Sequence, residues 1–269
     1  MNQVSNDQIR QNVRSRYKEI ALQPAEASSC CAPPSTTSAG CCDSPANASA
    51  KLGYSNDELT AVPDGANLGL GCGNPQAIAE LKPGEAVLDL GSGGGFDCFL
   101  ASRQVGDTGR VIGVDMTPEM VSRARANAAN GGFANTDFRL GEIEHLPVSD
   151  QSVDVIISNC VINLSPDKQQ VFNEAFRVLR PGGRLAISDI VTTAALPAEM
   201  KNDLDLMYSG CISGASSVDE VKAMLTQSGF MNLVVEPKDD SKEFIKDWVP
   251  GSHVENYIAS SVIRANRPL

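Results

Sequence analysis

Cysteine is the residue type whose number and spacing most clearly indicate chemistry in this sequence. Thiolates are soft ligands for metals and metalloids, and they also carry redox chemistry. No two cysteines have the C-x₂-C spacing from which structural zinc sites are commonly built. The spacing therefore favours a soft, thiophilic ligand over structural zinc. The eight cysteines are two adjacent pairs and four single residues: Cys30-Cys31, Cys41-Cys42, Cys72, Cys98, Cys160 and Cys211.

The thiols are predicted to lie in a reducing environment. The N-terminus shows neither the basic region nor the apolar run of a signal peptide, so we expect a cytoplasmic protein with reduced thiols. No run approaches the ~18 apolar residues of a membrane-spanning helix. The formal charge is 22 − 33 = −11, which argues against binding to nucleic acid or to an anionic membrane. A small molecule is the expected partner.

A glycine-rich loop follows the first predicted strand, in the segment Asp89-Leu-Gly-Ser-Gly-Gly-Gly-Phe96. Such glycines let backbone amides approach a ligand at the start of a helix. A nicotinamide or flavin fingerprint would need a further glycine at the position of Phe96, so that interpretation is disfavoured. Asp115 ends the next predicted strand, 115 − 89 = 26 residues on, where a carboxylate can accept both hydroxyls of a ribose.

These motifs resemble those of the class I S-adenosylmethionine-dependent methyltransferases, over about residues 75–190. The resemblance implies an α/β fold: a doubly wound, mostly parallel seven-stranded sheet, here with a small C-terminal α+β extension. It also implies S-adenosylmethionine as cofactor. For Glu142, a solvated loop carboxylate stays open as an alternative to cofactor contact. The implied cofactor-binding residues are Asp89 and Ser92 of the first motif, Gly91 and Gly93 at the methionine end, Asp115 at the ribose, Met116 beside the adenine, Glu142 and Ile143 at the adenine edge, and Asn159 facing the amino-acid moiety.

The residues that could receive the methyl group are thiols. Most oxygen and nitrogen acceptors need a general base, yet the two histidines, His145 and His253, are predicted to be surface loop residues. Cys160 follows the fourth predicted strand, at the point of the sheet where ligands bind. Cys211 lies on the apolar face of a predicted helix or begins the loop beyond it, and Cys72 precedes a short helix. Cys98 is predicted to be a core residue without polar company.

Three separated thiols beside a methyl donor favour trivalent arsenic as the acceptor. Trivalent arsenic binds three thiolates in a pyramid, and its lone pair points away from them. That lone pair is the nucleophile, so no general base is required. Arsenite is uncharged near neutral pH, which is compatible with an acidic protein.

Longer segments are similar to the arsenite methyltransferases, from about residue 51 to the end of the sequence. By this similarity Cys72, Cys160 and Cys211 bind arsenic, with Cys160 and Cys211 as a fixed pair and Cys72 as a mobile third ligand. The implied activity is methylation of arsenite and then methylarsenite for detoxification, with glutathione or thioredoxin as thiol reductant. The segments that carry the similarity are Gly69-Leu-Gly-Cys72-Gly-Asn-Pro75, Ser158-Asn-Cys160-Val-Ile-Asn163-Leu, Ser209-Gly-Cys211-Ile and Trp248-Val-Pro-Gly-Ser-His-Val-Glu-Asn-Tyr257.

The elements that must position these residues follow from hydrophobic periodicity. Alternating strands and helices predict a parallel sheet covered on both faces. Residues 24–50 lack every large apolar residue and are predicted to be flexible. We expect four regions: 1–50, an N-terminal helix and flexible cysteine-rich segment; 51–75, a glycine-rich flap carrying Cys72; 76–195, the S-adenosylmethionine-binding core; and 196–269, a C-terminal arsenic-binding extension. The predicted strands are 86–90, 110–115, 138–141, 154–159, 184–190, 232–235 and 257–265, and the predicted helices are 6–22, 95–104, 118–129, 166–179 and two within 197–227.

Several alternatives stay open at this level. Cys30, Cys31, Cys41 and Cys42 either capture arsenic near the site or belong to a cysteine-rich linker without function. The chain could also methylate a carbon acceptor such as a quinone or lipid. A third possibility is a non-catalytic protein that binds a metalloid through thiols.

Overall fold

The structure is a computed structural model that describes residues 5–23, 44–197, 200, 212, 214–249 and 251–269. The four paired cysteines and Cys211 lie outside the described residues, so the predictions on them are not tested by the fold.

Helices and strands alternate through most of the chain, as the periodicity predicts. The strands are β1 Ala86–Leu90, β2 Arg110–Asp115, β3 Thr136–Leu140, β4 Val153–Asn159, β5 Leu179–Thr192, β6 Ser216–Ser217, β7 Met231–Pro237 and β8 Ile258–Asn266. The described α-helices are α1 Asn6–Leu22, α2 Pro45–Lys51, α3 Asn56–Thr60, α4 Gln76–Ala79, α5 Phe96–Val105, α6 Pro118–Gly131, α7 Lys168–Val178, α8 Val218–Gln227 and α9 Lys242–Ile245.

The strands form one sheet in the order β3-β2-β1-β4-β5-β8-β7, with the two-residue β6 paired to β5. β1 to β5 run parallel, because helical crossovers return the chain to the same edge. β8 pairs antiparallel with both β5 and β7, as expected for the end of the chain. The predicted doubly wound, mostly parallel sheet is confirmed, and the C-terminal region contributes two strands to this same sheet.

The strand order reverses between β1 and β4, and the carboxyl ends of these strands form the edge where the predicted site lies. All five residues of β1 are buried because helices cover both faces of the sheet. A separate apolar cluster near this edge contains Cys72, Cys160 and Ile190, and Trp248 packs against it.

Helix α1 crosses the carboxyl ends of the strands. Ser5 caps it by accepting a hydrogen bond from Gln8 N, and Val13 on its inner face is 2% exposed. The predicted amphipathic helix is therefore confirmed, and the face that it buries lies toward the predicted cofactor site.

The prediction that residues 24–50 are flexible is wrong for the last residues of that segment. Residues 45–51 form α2, which Ser44 caps by accepting from Asn47 N, with Pro45 in the first turn. The lack of large apolar residues did not predict this helix, because polar contacts stabilise it. These contacts are the cap and hydrogen bonds such as that from Ser49 Oγ to Asn67 Oδ1 at 2.9 Å. Among the described residues, every helix is too short or too polar to span a bilayer.

Candidate active site

A large cavity opens at the carboxyl ends of β1, β2 and β4, beneath α1. It encloses about 1110 Å³ of empty space, including its mouth. Arg10, Val13 and Tyr17 form the wall contributed by α1. Eight of the nine predicted cofactor-binding residues line this cavity: Asp89, Gly91, Ser92, Gly93, Asp115, Met116, Ile143 and Asn159.

Asp115 is held in place by backbone amides at the end of β2. Its carboxylate accepts hydrogen bonds from Gly93 N at 3.0 Å and from Thr117 N at 2.8 Å. Each oxygen keeps a further lone pair, which is available to ribose hydroxyls. Gly93 has φ +51°, and a Cβ built there would meet nothing within 4 Å. The backbone conformation therefore favours glycine here, and the loop faces open space in the cavity.

The polar groups of the cavity wall fit S-adenosylmethionine. Ser92 Oγ is buried and has no hydrogen-bond partner among the described residues, and such a group needs a polar partner. Asp89 and Asp97 also line the cavity, and burial raises the pKa of each carboxyl. A cationic ligand with a polar nucleoside would satisfy these groups. S-adenosylmethionine carries a ribose, an ammonium and a sulfonium.

Glu142, the ninth predicted residue, lies outside the cavity wall in this structure. Its carboxylate pairs instead with Arg10 at 3.4 Å and with Arg14 at 3.2 Å, both on α1. These contacts join residues more than 120 positions apart, so local sequence patterns do not reveal them. Glu142 holds α1, while the adjacent Ile143 reaches the cavity.

Two of the three predicted arsenic ligands lie side by side. The sulfurs of Cys72 and Cys160 and a carboxylate oxygen of Asp189 all lie within 4.8 Å of one another. The three residues are 1%, 8% and 2% exposed, respectively. Cys160 also lines the cofactor cavity. The pair of thiols is therefore shielded from water and adjacent to the predicted methyl donor.

The two thiols share one backbone acceptor. Ser188 O accepts a hydrogen bond from Cys160 N at 2.8 Å and from Cys72 Sγ at 3.6 Å. Cys160 has φ +60°, a left-handed conformation that costs a non-glycine residue free energy, and such strained residues cluster at active sites. The register pairs Asn159 of β4 with Ser188 of β5, so Cys160 and Asp189 follow at neighbouring strand positions.

Asp189 is a candidate site residue that the sequence analysis missed, because its carboxylate lies beside the two thiols. Its carboxylate accepts from Ile190 N at 2.7 Å, Ile162 N at 2.9 Å and Asn163 Nδ2 at 2.8 Å, which fixes its position. Burial raises the pKa of this carboxyl to about 6. The signal in the sequence was an acidic residue within the apolar run of β5. Acidic residues are rarely fully buried unless they are paired.

Tyr54 and Asp97 also belong to the site, although no motif marks them. Tyr54 Oη donates to Asp97 Oδ1 at 2.8 Å, and both side chains line the cofactor cavity. Burial and the neighbouring Asp97 carboxylate raise the pKa of Tyr54 well above its usual value.

The remaining candidates behave largely as predicted. Cys98 is completely buried, which confirms a core position. The prediction that Cys98 has no polar neighbour is wrong, because its thiol donates a hydrogen bond to Asp89 Oδ2 at 3.2 Å. His145 and His253 are exposed, as predicted for surface loop residues.

Comparison with known proteins agrees with this geometry. A family described as "Methyltransferase domain" matches residues 81–229. An arsenite methyltransferase of Halobacterium salinarum is 52% identical over 267 residues, which cover 97% of this chain and 67% of that protein. The chain belongs to the arsenite methyltransferase family. The predicted family is thereby confirmed, and with it the class of enzyme, an S-adenosylmethionine-dependent methyltransferase.

Other members of the arsenite methyltransferase family are similar over a smaller part. The arsenite methyltransferase of Homo sapiens is 40% identical over 169 residues, which cover 60% of this chain and 44% of the human protein. The crystal structure of an arsenic(III) S-adenosylmethionine methyltransferase from Chlamydomonas reinhardtii is similar with a TM-score of 0.61 and 32% identity, over 82% of this chain and 73% of that one. The matched region thus covers less than half the length of the human relative.

Proposed function

We propose that this chain transfers the methyl group of S-adenosylmethionine to trivalent arsenic, first as arsenite and then as methylarsenite, held by Cys72, Cys160 and Cys211. The observation that carries the proposal is the buried pair of Cys72 and Cys160, which adjoins the cofactor cavity. Family membership supports the same acceptor. The family's name alone does not assign ligands, and the thiol pair supports two of the three.

Capture of arsenite is proposed to proceed by exchange of hydroxyls for thiols. Each thiol that bonds to arsenic transfers its proton to a departing hydroxide, which leaves as water. Arsenite held by Cys72 and Cys160 keeps one hydroxyl, and Asp189 is placed to accept a hydrogen bond from it. Cys211 then replaces this last hydroxyl, which gives the pyramidal three-sulfur complex.

The protein's part in methyl transfer is orientation. S-adenosylmethionine, when bound, supplies an electrophilic methyl group on a sulfonium. Cys160 lines the cofactor cavity, so arsenic bound to this thiol would adjoin the methyl donor, and its lone pair would act as the nucleophile. The arsenic–carbon bond forms as the carbon–sulfur bond breaks, and S-adenosylhomocysteine leaves. Holding both reactants in line converts a bimolecular displacement into an oriented one.

Reducing equivalents are needed because methyl transfer takes arsenic from the trivalent to the pentavalent state. We infer that two site thiols return two electrons to arsenic and form a disulfide. The proximity of the Cys72 and Cys160 sulfurs supports this step. An external thiol, glutathione or thioredoxin, then reduces the disulfide by exchange.

The capture of substrate by Cys30, Cys31, Cys41 and Cys42 is a further part of the proposal. Thiols on a tethered segment would raise the effective concentration of arsenic near the site. A cytoplasmic location, where such thiols stay reduced, is also proposed.

The decisive experiment incubates the protein with arsenite, S-adenosylmethionine and glutathione and then separates the arsenic species. We expect methylated arsenic from the unsubstituted protein and none from Cys160→Ser. Cys98→Ala is the matched control, since it removes a buried thiol outside the thiol pair, and it should retain activity. Stoichiometric arsenic binding without methylated product would refute catalysis and favour a binding protein. Methyl transfer to a quinone or lipid that survives cysteine alkylation would refute arsenic as the acceptor.

A further inference from the structure

The peptide backbone around Cys72 is held by the side chain of Asn159, the residue before Cys160. Asn159 Oδ1 accepts a hydrogen bond from Cys72 N at 3.0 Å, and Asn159 Nδ2 donates to Gly73 O at 2.9 Å. A Cβ on Gly71 would lie 2.7 Å from Asn159 Nδ2, so glycine is required for this approach. One amide side chain therefore clamps the loop that carries the Cys72 thiol.

The same amide contacts the cofactor cavity. Asn159 Nδ2 also donates to Tyr54 Oη at 3.1 Å and lies 3.4 Å from Asp97 Oδ2. Tyr54 Oη in turn donates to Asp97 Oδ1 at 2.8 Å. Three side chains, Asn159, Tyr54 and Asp97, thus form a continuous hydrogen-bonded chain from the cavity wall to the Cys72 loop.

These residues lie at the end of the cavity where the reacting part of the cofactor must sit. Asp115 at the end of β2 and Met116 after it line one side of the cavity, where the family resemblance puts the nucleoside, and Cys160, after β4, lines the side near the proposed acceptor. β1 lies between β2 and β4 in the sheet. Asp97 and Asn159 would hold the cationic end of the cofactor, whose charge would favour the ionised Asp97 carboxylate as an acceptor for Tyr54.

We propose that Asn159 and Tyr54 are positioning residues that couple occupancy of the cofactor cavity to the position of the Cys72 thiol, so that cofactor and trivalent arsenic each tighten the binding of the other. This inference rests on the proposed function. Asn159 acts on arsenic only through the Cys72 loop, and Tyr54 acts only through Asn159. By linkage, the coupling must have the same size in both directions.

The coupling can be measured without turnover. S-adenosylhomocysteine fills the cofactor cavity but carries no transferable methyl group. Trp248 is the single tryptophan of the chain and packs against the cluster that contains Cys72 and Cys160, so its fluorescence reports arsenite binding. We expect saturating S-adenosylhomocysteine to lower the Kd for arsenite about tenfold, within the usual range of coupling between two sites.

Two variants separate coupling from structural support. Tyr54→Phe keeps the ring and removes the hydroxyl that accepts from Asn159 and donates to Asp97, which leaves only the longer 3.4 Å contact between Asn159 and Asp97. Ser260→Ala removes a different support of the same loop, the hydrogen bond from Ser260 Oγ to Cys72 O at 2.6 Å. Ser260 does not line the cofactor cavity. The Kd ratio is the Kd for arsenite without S-adenosylhomocysteine divided by the Kd with it. We expect Tyr54→Phe to reduce this ratio to less than about three. We expect Ser260→Ala to weaken arsenite binding under both conditions and to keep the ratio at about ten.

The outcomes distinguish this proposal from the proposed function. A Kd ratio of one in the unsubstituted protein, or an equal ratio in Tyr54→Phe, would overturn the coupling while leaving arsenic methylation intact. A Kd ratio that falls to the same extent in Ser260→Ala would show that any weakening of the Cys72 loop has this effect. That result would also overturn the coupling proposed for Asn159 and Tyr54. Failure of the unsubstituted protein to bind arsenite at all would overturn both proposals. Isothermal titration of S-adenosylhomocysteine with and without arsenite should give the same ratio.

Discussion

Removal of the Arg10 guanidinium should weaken cofactor binding far more than removal of its neighbour Arg14. Arg10 Nη2 lies 3.1 Å from Glu144 Oε1, and the two side chains are 20% and 4% exposed. Arg14 Nη2 pairs with Glu142 Oε1 at 3.2 Å, with side chains 38% and 32% exposed. Both arginines hold α1 over the cofactor cavity, and the partner carboxylate of Arg10 is the more buried one. Arg10 also lines the cavity and pairs with Glu142 at 3.4 Å, whereas Arg14 donates to Met116 O at 3.2 Å.

The magnitude follows from that burial. Arg10→Ala leaves the Glu144 carboxylate buried with Ser165 Oγ, at 2.7 Å, as its remaining side-chain donor among the described residues. Breaking a buried pair costs about 3–5 kcal/mol, and partial exposure of Arg10 reduces this to about 2 kcal/mol. If the loss falls on the docking of α1, the Kd for S-adenosylhomocysteine rises about 30-fold. The exposed Arg14 pair contributes at most about 1 kcal/mol, which corresponds to about fivefold.

Isothermal titration calorimetry with S-adenosylhomocysteine measures both variants directly. Limited proteolysis of α1 should show faster cleavage in Arg10→Ala than in Arg14→Ala. Adding Glu144→Gln to Arg10→Ala removes the orphaned charge and should recover much of the affinity. Equal Kd values for the two single variants would refute the assignment of α1 docking to the buried pair, as would an Arg10→Ala protein with unchanged affinity.

Four further predictions concern the thiols and the buried carboxylates. Cys72→Ser should abolish methylation of arsenite but spare methylarsenite, which already carries one carbon ligand and needs two sulfurs; equal losses in the speciation assay would contradict Cys72 as the third ligand. In a Cys211→Ser background, where bound arsenite keeps a hydroxyl, Asp189→Asn should weaken arsenite binding about fivefold. This is about 1 kcal/mol, the difference between a charge-assisted and a neutral hydrogen bond. Phenylarsenite keeps no hydroxyl and should bind unchanged, so similar effects on both ligands would count against Asp189. Burial raises the pKa of Asp97 to about 6, above that of the unfolded chain, so this group destabilises the fold increasingly as pH rises through about 4 to 6. Asp97→Asn should therefore lose less free energy of unfolding than the unsubstituted protein over that window, by up to about 3 kcal/mol. Parallel urea-unfolding profiles for the two proteins would contradict this. Deleting residues 24–43 should raise the KM for arsenite if the paired cysteines capture substrate, whereas an unchanged KM would favour a linker without function.

Much of the fold was predictable because its signals are local. The alternation of apolar runs with helical periodicity predicted seven of the eight strands to within a few residues, except that β5 begins at Leu179 instead of residue 184. The two-residue β6, Ser216–Ser217, was not predicted and lies within a region predicted to be helical. The glycine loop and Asp115 marked the cofactor cavity, because their chemistry depends on strand ends that periodicity locates. Cys72 and Cys160 were placed together by resemblance, and the hydrogen bonds from Cys72 N to Asn159 Oδ1 and from Cys72 Sγ to Ser188 O explain their meeting.

The rest depends on contacts that bridge distant parts of the chain. The pairing of Glu142 with α1 joins elements more than 120 residues apart, and the clamp of Asn159 on the Cys72 loop joins positions 87 apart. Neither has a periodic or motif signal. Asp189 carried a weak signal as a charge within an apolar strand, but only the packed structure shows that its oxygen faces two thiols.

The hydrogen bond of Cys98 has a consequence for an enzyme that handles a thiol poison. Burial, followed by the neighbouring Asp89 carboxylate, raises the pKa of the Cys98 thiol well above its usual value, so the nucleophilic thiolate form is suppressed. The thiol is also fully covered by the core. This cysteine is thereby insulated from the enzyme's own substrate, although it lies directly behind the glycine loop. Arsenic bound at the proposed site is therefore not expected to cross-link this interior thiol.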